Sequence, residues 1–353
     1  MSRMIGQIIL CVCAATAMPA YASVDLGETY YFKNWASGCD NALSCEAVSL
    51  LPPDIPADNL SMIIKRDAGN DGDLTVQIFD FDSESDRYRL FIDGELVDTG
   101  PIVQDDNASI TVTGKDAMKL ARAVVRGREA VLYDGNDVIM GKISLTGSAA
   151  ALRYLDSAQG RARTADAIAA TGRKKAKLGK PALPVIAARK ITPDDIVPPA
   201  ADLVTLIENS ACKEERYGVT EDSAYSLGSH DGKAQALVLV SCGSGAYNFG
   251  SAPYIGTRSA DGYWSFLPAR FDYRSDTASE AAQIEILINA DWNPETQSLT
   301  SYNKGRGFGD CGQSADYVWD GEMFRLIRAR RMEECRGSLD WITVWRAKVE
   351  FGA

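Results

Sequence analysis

Residues 60–79 read LSMIIKRDAGNDGDLTVQIF. Two short runs, Leu60–Lys65 and Leu74–Phe79, are rich in β-branched and other apolar side chains, and Asn70-Asp71-Gly72 lies between them. Side chains of a strand alternate between two faces, and Asn, Asp and Gly supply the backbone angles that a tight reversal needs, so this stretch predicts an antiparallel hairpin. The same grammar extends outward. Tyr88–Ile92 is followed by Asp93-Gly94, Ile110–Val112 is a further short run, and Asp134-Gly135 separates Ala130–Tyr133 from Val138–Leu145. One helix interrupts the strands: Ala117, Leu120, Ala121 and Val124 recur at helical spacing, with Asp116 in the first turn and Gly127 as a stop. A second helix, Ser148 to about Gln159, closes a β-rich first half spanning residues 23–160.

A chain of 353 residues exceeds what one core usually serves, so two domains are expected. Between residues 161 and 199 the composition shifts. Arg173, Lys174, Lys175, Lys177 and Lys180 cluster among alanines ahead of Pro181, Pro184, Pro193, Pro198 and Pro199, which predicts an extended basic linker. Beyond it, Ala200–Ser210 reads as a short helix. Strands are then expected at Ala236–Ser241, Tyr263–Phe266, Ile284–Ile288, Tyr317–Trp319, Phe324–Arg328 and Trp341–Lys348. The predicted fold is mainly β (α+β): two antiparallel β-sandwich-like domains, residues 23–160 and 200–353, with a few short helices and disulfide staples.

The chain opens MSRMIGQIILCVCAATAMPAYAS. Arg3 followed by an apolar core from Ile5 to Ala17 and by Ala20-Tyr21-Ala22 has the form of an export signal cleaved after Ala22, and the core is too short to span a bilayer. Of eight cysteines, Cys11 and Cys13 would leave with that peptide. Cys39, Cys45, Cys212, Cys242, Cys311 and Cys335 remain, an even set that an oxidising compartment pairs as disulfides. Fifteen connectivities are open; spacing favours the neighbours Cys39–Cys45, Cys212–Cys242 and Cys311–Cys335. With one histidine and no Cys-x-x-Cys, neither a metal site nor a cofactor is expected. The net charge of −11 argues against nucleic acid and anionic membrane as partners.

Candidate chemistry is sparse. His230, in Gly228-Ser229-His230-Asp231-Gly232, has no nucleophile elbow or metal motif beside it and reads as a surface turn. Asp80, Asp82, Glu84 and Asp86 alternate as a calcium loop does, but the positions that would need glycine and glutamate hold Ser85 and Phe91. The densest anomaly is Gly305-Arg306-Gly307-Phe308-Gly309-Asp310-Cys311-Gly312, with four glycines in eight residues. Such a loop passes close to neighbouring backbone and can turn its N–H groups, with Arg306, towards an anion. Trp319, Trp341, Trp345 and Arg336 accompany it in sequence, and aromatics beside carboxylates are carbohydrate-binding chemistry. The expected binding set is Arg306, Asp310, Asp316, Trp319 and Arg336, with no catalytic residue assigned.

Several stretches carry a family resemblance. Phe32-Lys33-Asn34-Trp35 with Cys39-Asp40-Asn41 and Cys45-Glu46-Ala47, Leu152-Arg153-Tyr154-Leu155-Asp156 with Gln159-Gly160-Arg161, and Cys242 with Gly245-Ala246-Tyr247-Asn248 occur in that order. They are followed by the glycine loop, Trp319-Asp320-Gly321, Phe324-Arg325-Leu326 and Cys335-Arg336-Gly337. The chain resembles domain-of-unknown-function family 1176, exported proteins of Gram-negative bacteria, over nearly all of its mature length. Its first half is distantly similar to invasion-associated locus B proteins, which share a tryptophan followed by two closely spaced cysteines. The family resemblance implies a periplasmic location and the three disulfides, and it transfers no activity. The expected function is a non-catalytic binding or envelope-associated module whose partner is an envelope protein or a cell-wall glycan. The alternatives are an envelope glycan hydrolase using carboxylates near Asp310 and Asp316, and an inhibitor or chaperone-like partner protein.

Overall fold

The computed structural model describes residues 24–52, 60–79, 85, 87–99, 109–192, 194–218, 221–274 and 284–352. The stretch expected as an export signal and Asp80, Asp82, Glu84 and Asp86 lie outside the described residues. The first half contains β1 (Thr29–Tyr31), β2 (Trp35–Cys39), β3 (Cys45–Ser49), β4 (Ser61–Arg66), β5 (Leu74–Phe79), β6 (Tyr88–Ile92), β7 (Glu95–Leu96) and β8 (Ile110–Thr113). Helix α1 (Gly114–Arg126), β9 (Glu129–Asp134), β10 (Ile139–Ser144) and α2 (Ser148–Ala158) complete it. Then come β11 (Val185–Arg189), α3 (Ala200–Asn209), β12 (Ser223–His230), β13 (Lys233–Ser244), β14 (Phe249–Arg258), β15 (Trp264–Pro268) and β16 (Leu287–Ile288). The chain ends with β17 (Asp291–Asn293), β18 (Ser298–Lys304), β19 (Gly312–Trp319), β20 (Phe324–Met332), β21 (Ile342–Arg346) and β22 (Lys348–Gly352). The protein is mainly β, as expected, and the hairpin at 60–79 forms with Ile64 opposite Val76.

The first sheet runs β1-β2-β3-β4-β5-β8 and is antiparallel throughout; a second runs β10-β9-β6-β7. Period-two alternation sends Trp35, Ala47, Met62, Ile64, Val76 and Ile78 to one side, where they meet Leu120 and Val124 of α1 and Leu152 and Leu155 of α2. The other side is covered as well. Ala36 and Val48 enter a second core built largely from the carboxy-terminal half, including Leu237, Leu299, Tyr317, Phe324, Trp341 and Ile342. Every residue of β2 is buried for this reason. The two β-rich halves therefore share a core.

The third sheet, β12-β13-β14-β15 with β16 beside β14, is also covered on both faces. Leu237 and Leu239 turn to the second core, while Val238 and Val240 meet Leu206 of α3, Cys212 and Tyr254 in a third. The continuous apolar run of β13 follows from burial on both sides. The fourth sheet runs β17-β18-β19-β20-β21. The disulfides join Cys39 to Cys45, Cys212 to Cys242 and Cys311 to Cys335, the neighbour pairing that spacing favours.

The segment expected as an extended linker is partly built into the fold. The Asp156 carboxylate accepts the N–H groups of Ile168, Ala169 and Ala170 at 2.8 Å, and Arg161 is fully buried with its guanidinium donating to the Gly69 carbonyl. Gln159 Nε2 donates to the Leu43 and Arg66 carbonyls at 2.8 Å. Burial, with Arg161 beside it, pushes Arg66 down to about 10. Further on, β11 pairs in parallel with β22. Composition marks this segment as polar and breaker-rich, but its hydrogen-bond partners come from remote parts of the chain.

Candidate functional site

The glycine loop connects β18 to β19 and is held from several sides. Gly305 N donates to the Cys311 carbonyl at 2.8 Å, and Gly309 N closes a turn onto the Arg306 carbonyl at 2.9 Å. A side chain at Gly305 would place its first carbon 2.7 Å from Cys311 Sγ, so the disulfide itself requires glycine there. Tyr302 Oη donates to the Gly309 carbonyl at 3.1 Å, and its ring stacks on Trp341 with centroids 4.5 Å apart. From the neighbouring sheet, Tyr247 Oη reaches the Gly305 carbonyl at 3.2 Å and Asn248 Nδ2 the Lys304 carbonyl at 2.9 Å. Asn289 bonds both Asn248 Oδ1 and the Tyr302 carbonyl, completing a set of amides behind the loop.

Asp310, with no exposed surface, is the electrostatic centre of the loop. Arg306 donates to it from Nε and Nη2, and Gly337 N donates to Oδ2 at 2.6 Å. Burial raises the pKa of the Asp310 carboxyl, but the hydrogen bonds from Arg306 and Gly337 and the guanidinium charge outweigh it, and the net shift is downward. In the other direction, the hydrogen bond to Asp310 raises the pKa of Arg306 against the opposing effect of burial. The pair stays ionised, so Asp310 has neither a proton to give nor a free oxygen with which to act as a base. Two groups remain outward: the half-exposed Arg306 guanidinium and the Phe308 ring, 66% exposed, with Arg306 Cζ 6.0 Å from the ring centroid. A hollow of about 340 Å³ beside the loop is lined by the Cys311–Cys335 disulfide, Asn303, Gln313, Arg331 and Glu333. Asp310, Cys311 and Cys335 lie within 4.8 Å of one another, yet both sulfurs are bonded to each other and offer no thiolate to a metal.

The five residues expected to form one site fall in four places. Arg306 and Asp310 meet as described. Arg336 lies one residue before Gly337 but turns to the first half, donating to the Leu51 carbonyl from Nε at 2.8 Å and to Lys33 and Asn34 from its terminal nitrogens. Asp316 sits on β19, bonded to Thr300 Oγ1 and Arg328 Nε at 2.9 and 2.6 Å. Trp319 is 2% exposed and packs on Phe324 in the second core, which also holds Trp341 and Trp345. These tryptophans fill space rather than present a platform. His230 is exposed at the end of β12, its Nε2 3.8 Å from Asp231.

Asn248, Asn289 and Phe308 are absent from the expected set. Asn248 ends the Gly245-Ala246-Tyr247-Asn248 stretch and Phe308 lies in the glycine loop, and their type carries no signal by itself. Asn289 has a positive φ of 47°, a backbone state asparagine tolerates better than most residues, but sequence does not display it. The Leu152–Asp156 and Gln159–Arg161 motif, by contrast, anchors the 161–170 segment and contributes nothing to the loop.

The chain is 26% identical over 343 residues to the "Uncharacterized protein YpfG" of Escherichia coli (strain K12), covering 89% of this chain and 91% of that protein. Among solved structures, invasion associated protein B from Bartonella henselae aligns with 37% of this chain and 96% of its own, at 17% identity and a TM-score of 0.26. Residues 29–348, from β1 through the glycine loop to the first residue of β22, match the family described as "Protein of unknown function (DUF1176)", and the chain belongs to that family.

Proposed function

We propose that the protein is a non-catalytic binding module of the periplasm, freed of its first 22 residues on export, that engages an envelope protein or cell-wall glycan through the tip of the glycine loop. The observation that carries this reading is the contrast within the loop. Its carboxylate is buried and hydrogen-bonded and its backbone is held by hydrogen bonds and the Cys311–Cys335 disulfide, while Phe308 and the Arg306 guanidinium stand outward on that base. A pre-ordered aromatic and arginine lose little conformational entropy on binding, and both residue types dominate binding hot spots. Three disulfides are compatible with an oxidising compartment.

The hydrolase alternative needs two carboxylates flanking one cleft, one of them protonated. Asp310 is held ionised by Arg306 in one place and Asp316 is bonded to Arg328 in another, so the geometry runs against that pairing. The test is a pull-down with the mature protein against periplasmic extract and peptidoglycan fragments, repeated with Phe308→Ala and with Tyr263→Ala, an exposed tyrosine on another hairpin. Capture should be lost with the first variant and kept with the second. Equal capture by both, or release of soluble glycan during incubation that stops on Asp310→Asn, would refute the reading.

A further inference from the structure

A polar row crosses the whole fourth sheet on the face turned away from Leu299 and Tyr317. The strand register places Asp291, Thr300, Asp316, Arg328 and Arg346 opposite one another in succession from β17 to β21. Acidic and hydroxyl groups occupy one end and two arginines the other. Like charges directly opposite across a ladder are unfavourable unless something compensates them. Here each arginine is tethered through one nitrogen by a carboxylate. Arg328 Nε donates to Asp316, whose side chain is 8% exposed, and Arg346 Nε to Asp40, whose side chain is 1% exposed. Asp40 is itself fixed by the N–H groups of Ala42 and Ser44, both at 2.9 Å, within the Cys39–Cys45 turn. Asn41 bonds the Arg346 backbone on both sides, donating to its carbonyl and accepting its N–H.

These tethers use only Nε. Among the described residues, the terminal nitrogens of Arg328 and Arg346 donate no hydrogen bond, and both side chains remain partly exposed. Both line a hollow of about 500 Å³, a size usual for small-molecule sites, with Asp316 beside Arg328 and with Asn293, Thr296, Ser298, Thr300 and Asp291 across the rest of it. Two guanidinium groups held in place through Nε, with their terminal nitrogens unused, match the oxygens of a carboxylate or phosphate through charge-assisted bonds. The hydroxyl, amide and carboxylate side chains opposite match a hydroxylated scaffold, and Asp291 disfavours a second negative group at that end.

We propose that this hollow is a binding site for an acidic sugar, with its anionic group on Arg328 and Arg346 and its hydroxyls towards Thr300, Ser298 and Asn293. The site requires both halves of the chain, because Asp40 orients one of its two arginines. It is separate from the glycine loop and stands whether or not the tip binds a partner. Isothermal titration of the mature chain with glucuronate, glucose 6-phosphate, neutral glucose and inorganic phosphate tests it. At least one acidic sugar should bind, tenfold or more tighter than glucose and than phosphate alone; which of the two acidic sugars wins distinguishes a carboxylated from a phosphorylated ligand. Arg328→Lys and Arg346→Lys keep the charge but lose the fork, and each should weaken binding about tenfold, while Phe308→Ala leaves it unchanged. Glucose binding as well as the acidic sugars, no binding of either acidic sugar at 10 mM, or full affinity in both lysine variants would overturn the proposal.

Discussion

Arg336 donates its Nε–H to the backbone carbonyl of Leu51 at 2.8 Å across 285 residues of sequence, and Leu51 N returns a bond to the Arg336 carbonyl at 2.8 Å. The same guanidinium reaches Lys33 and Asn34, so one side chain clamps the entry and exit of the β2–β3 hairpin to the carboxy-terminal half. Arg336→Ala removes these bonds and leaves partly buried carbonyls unmatched, which should cost about 2–4 kcal/mol in urea unfolding. Arg336→Lys should recover less than half, because an ammonium cannot span the fork. A change below about 0.5 kcal/mol on Arg336→Ala would mean that the clamp does not hold the halves together.

Asp310 sets an acid-side dependence. Its folded pKa lies below the ordinary carboxyl value of 3.8, so the ionised form stabilises the fold wherever it is ionised in both states. That contribution is fully present above the unfolded pKa, near 3.9, and is lost as pH falls through the lower folded value. Asp310→Asn should therefore show a constant loss of stability from about pH 5 to 7, shrinking below about pH 4. Chemical denaturation at several pH values checks this; a gap that stays constant down to about pH 2 would contradict it.

The glycines of the loop should separate into structural and tolerant positions. Gly312 has φ +139°, and a side-chain carbon there would lie 1.9 Å from the Asn303 carbonyl oxygen. Gly307 has no such conflict; its nearest neighbour would be Tyr247 Cδ1 at 3.4 Å. Gly312→Ala should cost about 2 kcal/mol or more, and Gly307→Ala should stay within about 0.5 kcal/mol. Thermal melts of the two variants decide the matter, and equal losses would remove the distinction.

Disulfide contributions should follow loop length. Cys39–Cys45 spans 6 residues, whereas Cys212–Cys242 and Cys311–Cys335 span 30 and 24. Chain entropy predicts about 2.4 kcal/mol for the short link and about 3.5 kcal/mol for each longer one. Paired Cys→Ser variants compared by denaturant unfolding provide the measurement, and a larger loss from the short link than from either long one would show that local geometry dominates.

Local pattern was sufficient where one face of an element is wet. The 60–79 hairpin, the α1 stripe of Ala117, Leu120, Ala121 and Val124, and the Asp93-Gly94 and Asp134-Gly135 turns are legible because apolar and polar residues alternate with the period of the element. It was insufficient where both faces are buried. Trp-Ala-Ser-Gly-Cys of β2 shows no strand signature, because Trp35 and Ala36 enter different cores and Gly38 has the Ile342 side chain against it. The β11 strand was hidden for a different reason: its partner is the last strand of the chain, and its flanks are rich in proline and lysine.

The sequence by itself indicated the mainly β class and favoured the neighbour pairing of the six cysteines, since local strand and turn patterns carry the first and spacing along the chain the second. Only the tertiary structure decided what stands beside what at long range. It separated Asp316, Trp319 and Arg336 from the glycine loop, gave the two halves a common core, and aligned Asp291, Thr300, Asp316, Arg328 and Arg346 across five strands. The reason is register: a one-residue slip in pairing sends a side chain to the opposite face, and that choice depends on every core contact of the sheet, which no local stretch of sequence contains.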